Sequence, residues 1–137
     1  MKILLDDTHC WLWMQVSPSR FSDGVRALLE DPAHRLFLSA ASAWEISIKW
    51  SLGKLSLPEA PREYVPRCMG HQLIDELPIR HEHALRVSAL PVFPDHRDPF
   101  DRILLAQAEV ESLELLTADV KVLGRYRDRV KLISATG

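Results

Sequence analysis

Cysteine is scarce in this chain. Cys10 and Cys68 are the two cysteines in 137 residues. They show no CxxC or other ligand spacing, which argues against a disulfide scaffold or a thiolate metal site. They read as free thiols of a reducing compartment. An excess of one charge is also missing: 17 basic against 19 acidic residues leave a formal net charge of −2. That removes the basic surface a general nucleic-acid coat would carry, although acids gathered at one site would mask basic residues elsewhere in the count. No apolar run approaches membrane-spanning length, and residues 1–10 lack the charged-then-apolar layout of a signal peptide. Internal repeats, low-complexity tracts and evident linkers are absent as well. What is present, 47% hydrophobic residues, is enough for one core. The expectation is a single cytoplasmic domain spanning residues 1–137.

Short apolar runs alternate with helical patterns. Ile3–Leu5 and Leu36–Leu38 read as buried strands, because strands covered on both faces are apolar without alternation. Leu113–Thr117 and Val130–Ile133 read the same way, and Gln72–Leu77 is a weaker strand pattern. Helices are expected over Thr8–Val16, over Ser22–Glu30 with Ser22 as N-cap, and over Ala40–Leu52 ended by Gly53. Further helices are expected over Arg62–Met69, His81–Leu90 and Pro99–Glu111. The proline-bearing stretches Leu55–Pro61 and Pro91–Arg97 read as connections. Such alternation predicts a layered α/β domain, a mostly parallel central sheet flanked by helices.

Carboxylates stand where that fold can gather them. Asp7 and Asp119 each follow a predicted strand, and ligands of parallel α/β sheets bind beyond the carboxyl ends of the strands. Asp98 and Asp101 lie at the start of one helix, and Glu45 lies early in another, so all can face the same edge. Hard cations such as Mg²⁺ and Mn²⁺ take oxygen ligands, often a few carboxylates with several waters retained. Each acid also has a local use. Asp98 before Pro99 fits an N-cap, with Asp101 at N3 favourable to the helix dipole. Ser42-Ala43-Trp44-Glu45 fits a capping box, and Glu45 also stands four residues before Lys49. Asp119 fits the cap of a last short helix.

The motifs resemble those of PIN-domain ribonucleases of the VapC toxin type, over nearly the whole chain. Leu4-Leu5-Asp6-Asp7-Thr8-His9 is similar to the opening strand ending in Asp-Thr-His. Ser42-Ala43-Trp44-Glu45-Ile46-Ser47-Ile48-Lys49 is similar to the Trp-Glu-Ile helix. His96-Arg97-Asp98-Pro99-Phe100-Asp101-Arg102, with Leu104-Leu105-Ala106-Gln107-Ala108, matches the third motif, and Leu115-Leu116-Thr117-Ala118-Asp119 the fourth. The resemblance implies a PIN-like three-layer sandwich and metal-dependent endonucleolytic cleavage of RNA by the toxin of a toxin–antitoxin pair. It assigns Asp7, Glu45, Asp101 and Asp119 to catalysis and to Mg²⁺ or Mn²⁺. Asp98, Thr8 and Thr117 take auxiliary roles toward water, phosphate or the helix start. Arg97 and Arg102 become candidates for phosphate contacts. The implied partners are RNA, a cognate antitoxin and a second copy of the chain. One departure is Asp6, since the residue before the motif aspartate is usually apolar; Asp6 is expected to point away from the cleft or to form part of its rim.

Two other readings stay open on the sequence. One is a PIN-like nuclease acting in RNA processing or on structured DNA. The other is a catalytically silent subunit that assembles with an antitoxin. His81-Glu82-His83 lacks the helical spacing of a two-histidine zinc site. Trp11, Trp13, Trp44 and Trp50 are expected in the core or at an interface more than on bases.

Overall fold

Five strands are joined by seven α-helices, two in each of the first three connections and one in the last, and the strand order explains where a site can form. The computed structural model describes residues 1–137 apart from the side chains of Asp7 and Thr8. The strands are β1 (Lys2–Leu5), β2 (Arg35–Ser39), β3 (Ile74–Leu77), β4 (Glu114–Thr117) and β5 (Leu132–Ser134). The helices are α1 (Asp7–Val16), α2 (Asp23–Glu30), α3 (Ala40–Ser51), α4 (Pro61–Gln72), α5 (His81–Arg86), α6 (Pro99–Glu111) and α7 (Val120–Arg125). Every strand pair is parallel and the order is β3-β2-β1-β4-β5. The chain builds outward from β1 on one side, then returns to β1 to build the other. β1 and β4 therefore flank the topological switch point, where parallel sheets leave a crevice at their carboxyl edge.

Side chains alternate across the sheet, so each strand serves two cores. Ile3, Leu5, Leu36, Leu38 and Leu116 pack with Trp11, Val25, Ile46, Tyr64 and Val65 from α1 to α4. Leu4 and Leu115 pack on the opposite face with Leu104, Leu105, Ala108, Val122 and Tyr126 from α6 and α7. Burial on both faces is why β1 and β4 are almost uninterrupted apolar runs. The edge strand β3 exposes Asp75 and Glu76, charges that discourage pairing with another sheet edge.

Most element boundaries follow the sequence reading, with instructive exceptions. α3 is capped by Ser39, whose hydroxyl accepts from the Ala41 N–H; Ser42 and Glu45 are buried inside the helix and form no capping box. α4 runs on to Gln72, beyond the expected Met69, although Pro66 lies within it. Proline there removes one N–H donor to the Arg62 carbonyl, and both residues are exposed, so water can satisfy that acceptor. α4 then ends at Leu73 with φ +54°. The expected helix His81–Leu90 divides into α5 and a 3₁₀ turn at Val87–Ala89. The Pro91–Arg97 loop is ordered by an antiparallel bridge between Phe93 and His96. β5 begins two residues later than expected, because Val130 belongs to the turn closed on Tyr126 O.

Candidate active site

Helix starts at the carboxyl edge of the sheet bring the acids together. Beyond β4, the Thr117 hydroxyl accepts from the Asp119 N–H at 3.0 Å, turning the chain sharply into α7. Asp119 then caps α7: its Oδ1 accepts from Lys121 N at 2.8 Å and Val122 N at 3.4 Å. Asp98 caps α6 through Oδ1 and the Phe100 N–H, 2.8 Å apart, and Pro99 fills N1, where a missing N–H costs little. Asp101 follows in the first turn of α6. Glu45 points from α3 with 8% of its surface exposed, and its carboxylate stands 3.6 Å from the Lys49 ammonium.

These side chains line one cleft of about 460 Å³, walled by Glu45, Asp98, Asp101 and Asp119 with His9, Trp13, Lys49 and Thr136. Four carboxylates thus face a single ammonium among the described residues. Such a cluster is costly to hold together without a cation. Donor atoms of His96, Asp101 and Asp119 lie within 4.8 Å of one another. The carboxylate oxygens available in the cleft fit the preference of Mg²⁺ or Mn²⁺ for hard ligands.

The third motif carries a hydrogen-bonded chain that sequence reasoning passed over. His96 is 5% exposed and Asp101 7%, and His96 Nε2 lies 3.0 Å from Asp101 Oδ2. The other ring nitrogen, Nδ1, is 2.9 Å from the Tyr126 hydroxyl. Arg102 Nη1 donates to that hydroxyl at 3.3 Å and to Pro91 O at 2.8 Å, while Nη2 donates to Val87 O at 3.3 Å. His96 stood in the quoted motif, five residues before Asp101, but no local spacing ties it to Tyr126, thirty residues away.

Other expected residues fall elsewhere. Asp7 and Thr8 lie outside the described side chains. Asp6 is 1% exposed, strand alternation puts it on the face of Leu4 and Thr117, toward α6, and it is not among the side chains that wall the cleft. The Thr117 hydroxyl is buried and serves the turn that positions Asp119. Arg102 is held by two carbonyls and the tyrosine hydroxyl and is not among the side chains that wall the cleft. Arg97 is exposed. Lys49 is the cation that reaches the cleft, and it was legible only as an i,i+4 partner of Glu45. His83 is buried, with Nδ1 accepting from the Arg80 N–H at 2.9 Å; it closes the start of α5. Trp11 is fully buried, so α1 turns that side chain into the core, whereas Trp44 is 62% exposed.

Away from the cleft, two arginine–carboxylate clusters tie the α7 region down. Glu109 accepts from Arg86 at 2.7 Å and from Arg129 at 3.0 Å. Hydrogen bonding from Arg129, then from Arg86, holds its carboxyl below the usual glutamate range. Arg125 does the same for Asp95.

The PIN-domain family pattern matches residues 4–128, and the chain belongs to that family. The chain is similar to ribonuclease VapC16 of Mycobacterium tuberculosis, with 45% identity over 59 residues. That match spans 43% of this chain and 42% of the relative, less than half of either. Among solved structures, VapBC2 from Rickettsia felis bound to a promoter DNA fragment aligns with a TM-score of 0.66 and 12% identity, over 98% of both chains. VapBC-1 from nontypeable Haemophilus influenzae aligns at 0.65 and 18%, over 100% of both. DNA-bound VapBC from Salmonella typhimurium aligns at 0.64 and 16%, over 98% of both. At these identities the structures show a shared fold.

Proposed function

We propose that this protein is a metal-dependent endoribonuclease and the toxin of a toxin–antitoxin pair. The observation that carries the proposal is the gathering of Glu45, Asp98, Asp101 and Asp119 around one cleft at the switch point of a PIN-domain sheet. Similarity to a protein named ribonuclease VapC16 supports the choice of RNA.

Asp101 and Asp119 would hold Mg²⁺ or Mn²⁺, together with Asp7, which the motif makes the first ligand. When bound, such an ion neutralises phosphate charge and lowers the pKa of a coordinated water. Glu45 accepts a proton from the attacking water, and its buried carboxylate at the cleft wall suits that role. The water oxygen forms a bond to phosphorus as the bond to the 3′-oxygen breaks, and that oxygen takes up a proton. The products are a 5′-phosphate and a 3′-hydroxyl. Lys49, beside Glu45, offers the phosphate a cation. Asp98 fixes the start of α6, and Thr117 fixes the turn that presents Asp119. Arg97, exposed and next in sequence to the cleft acid Asp98, and Arg102 are the arginines offered for RNA contact.

A cognate antitoxin and a second copy of the chain belong to the same reading. The apolar surface offered to them is the cleft of Trp44, Ile48, Ile79, Phe100 and Ile103 more than helix α1, whose Trp11 is buried. Incubation of the purified protein with end-labelled RNA, in chelator and with Mg²⁺ or Mn²⁺ restored, tests the central claim. Cleavage only with metal, lost in Asp101→Asn and Asp119→Asn, is expected. Undiminished cleavage in chelator, or none with either metal, would refute it.

A further inference from the structure

Asp101 is held by a directed chain of donors, and the direction can be read from the groups themselves. Arg102 only donates. Its bond to the Tyr126 hydroxyl therefore occupies a lone pair of that oxygen and leaves the phenolic hydrogen to be given onward. The group within reach is His96 Nδ1, at 2.9 Å. If Nδ1 accepts, the ring proton sits on Nε2 and is donated to Asp101 Oδ2 at 3.0 Å. Tyr126 and His96 then each receive one hydrogen and give one, linking the Arg102 donor to the Asp101 carboxylate. The opposite tautomer would set a nitrogen lone pair against a carboxylate oxygen and leave the buried phenolic hydrogen to seek another acceptor.

We propose that Tyr126 and His96 are positioning residues for Asp101: they fix the plane of its carboxylate for cation binding and hold one of its oxygens. This rests on the metal-dependent reading above. Carboxylate ligands commonly depend on such outer partners, whose loss costs about 10- to 100-fold in metal affinity or activity. The chain is well braced. His96 is pinned through the bridge to Phe93. The Tyr126 ring packs edge-on against Phe93 at 5.4 Å, and Arg102 is anchored by two backbone carbonyls. Asp101 therefore inherits its orientation from the loop before α6 and from the end of α7, the second of these remote from it in sequence.

Two measurements test this. ¹⁵N-edited NMR of the metal-free protein reads the His96 tautomer; the Nε2–H form is expected, and the Nδ1–H form overturns the chain. Mn²⁺ titration followed by electron paramagnetic resonance reads the consequence. Tyr126→Phe keeps the ring and its packing and removes only the hydroxyl, so it should weaken Mn²⁺ binding about 10-fold or more. His96→Gln, whose amide can accept at one end and donate at the other, should bind Mn²⁺ close to the parent, whereas His96→Leu should not. Parent-like Mn²⁺ affinity in both Tyr126→Phe and His96→Leu overturns the positioning role, as does a parent that binds no Mn²⁺. A parent that binds Mn²⁺ through this chain yet cuts no RNA leaves the inference standing and removes the nuclease reading instead.

Discussion

Asp101→Asn separates a structural acid from a metal-binding one, because the two roles predict opposite signs in stability. The change preserves shape and removes one charge. Oxygens of Asp101 and Asp119 can lie within 4.8 Å of each other. Two like charges at that spacing repel by roughly 1 kcal/mol at the dielectric of water and roughly 3 kcal/mol at an effective value near ~20. Against this relief stands the His96 hydrogen bond, which survives to an amide oxygen but loses its charge, a cost on the order of 1 kcal/mol. In chelator the variant should therefore be as stable as the parent, or up to ~2 kcal/mol more stable. Metal reverses the order. At about a hundred times its dissociation constant, Mn²⁺ stabilises the parent by roughly 2.7 kcal/mol, and the variant much less. Urea melts in chelator and in Mn²⁺ read both numbers, and a parallel RNA assay should show loss of cleavage. A variant ~2 kcal/mol weaker in chelator, gaining as much from Mn²⁺ as the parent, would show that Asp101 only supports the fold.

Three further outcomes are expected. Glu45→Gln should lower the cleavage rate about 10²- to 10⁴-fold, the usual loss for a positioned base, with an unchanged circular dichroism spectrum; parent-like cleavage would move the base role elsewhere. Glu109 has a lowered carboxyl pKa in the folded state, so its stabilisation is complete above the ordinary glutamate range and fades as pH falls through the folded value. Glu109→Gln should cost about 1 kcal/mol at neutral pH, and parent and variant should converge in urea melts as acidity increases; a gap that widens toward low pH would contradict the sign. Leu73 is 83% exposed and left-handed, at φ +54°, so Leu73→Gly should raise stability by about 0.5–1 kcal/mol, and a lower melting temperature would count against that backbone assignment.

Local chemistry made much of this protein readable in advance. β1, β2 and β4 are short apolar runs because both of their faces are covered, and Asp98-Pro99 marks a helix start because of what an N-cap and a first-turn proline each require. Asp98 and Asp119 proved to be caps and cleft walls at once, so the local and functional readings of those acids were not rivals: a helix beginning at the carboxyl edge puts its cap where the crevice lies. The likeness of four motifs to one family likewise lay in the order of residues. The capping box at Ser42 misled because an acid at that spacing serves a cap or a buried cleft equally well, and only packing against the sheet distinguishes them.

The tertiary structure decided what depends on distant segments meeting. Sequence periodicity determines which face of an element is apolar, but the order β3-β2-β1-β4-β5 determines which strand ends become neighbours. Trp11 entered the core and Trp44 stayed outside, because helical spacing alone does not say which layer a helix joins. Arg102, one residue from a cleft acid, turned to the Val87 and Pro91 carbonyls of the segment before α6, since successive helical positions diverge by about 100°. The Tyr126–His96–Asp101 chain spans separations of thirty and five residues. No local rule encodes such a chain: its hydrogen bonds exist only once the loop before α6 and the end of α7 have packed against the same sheet face.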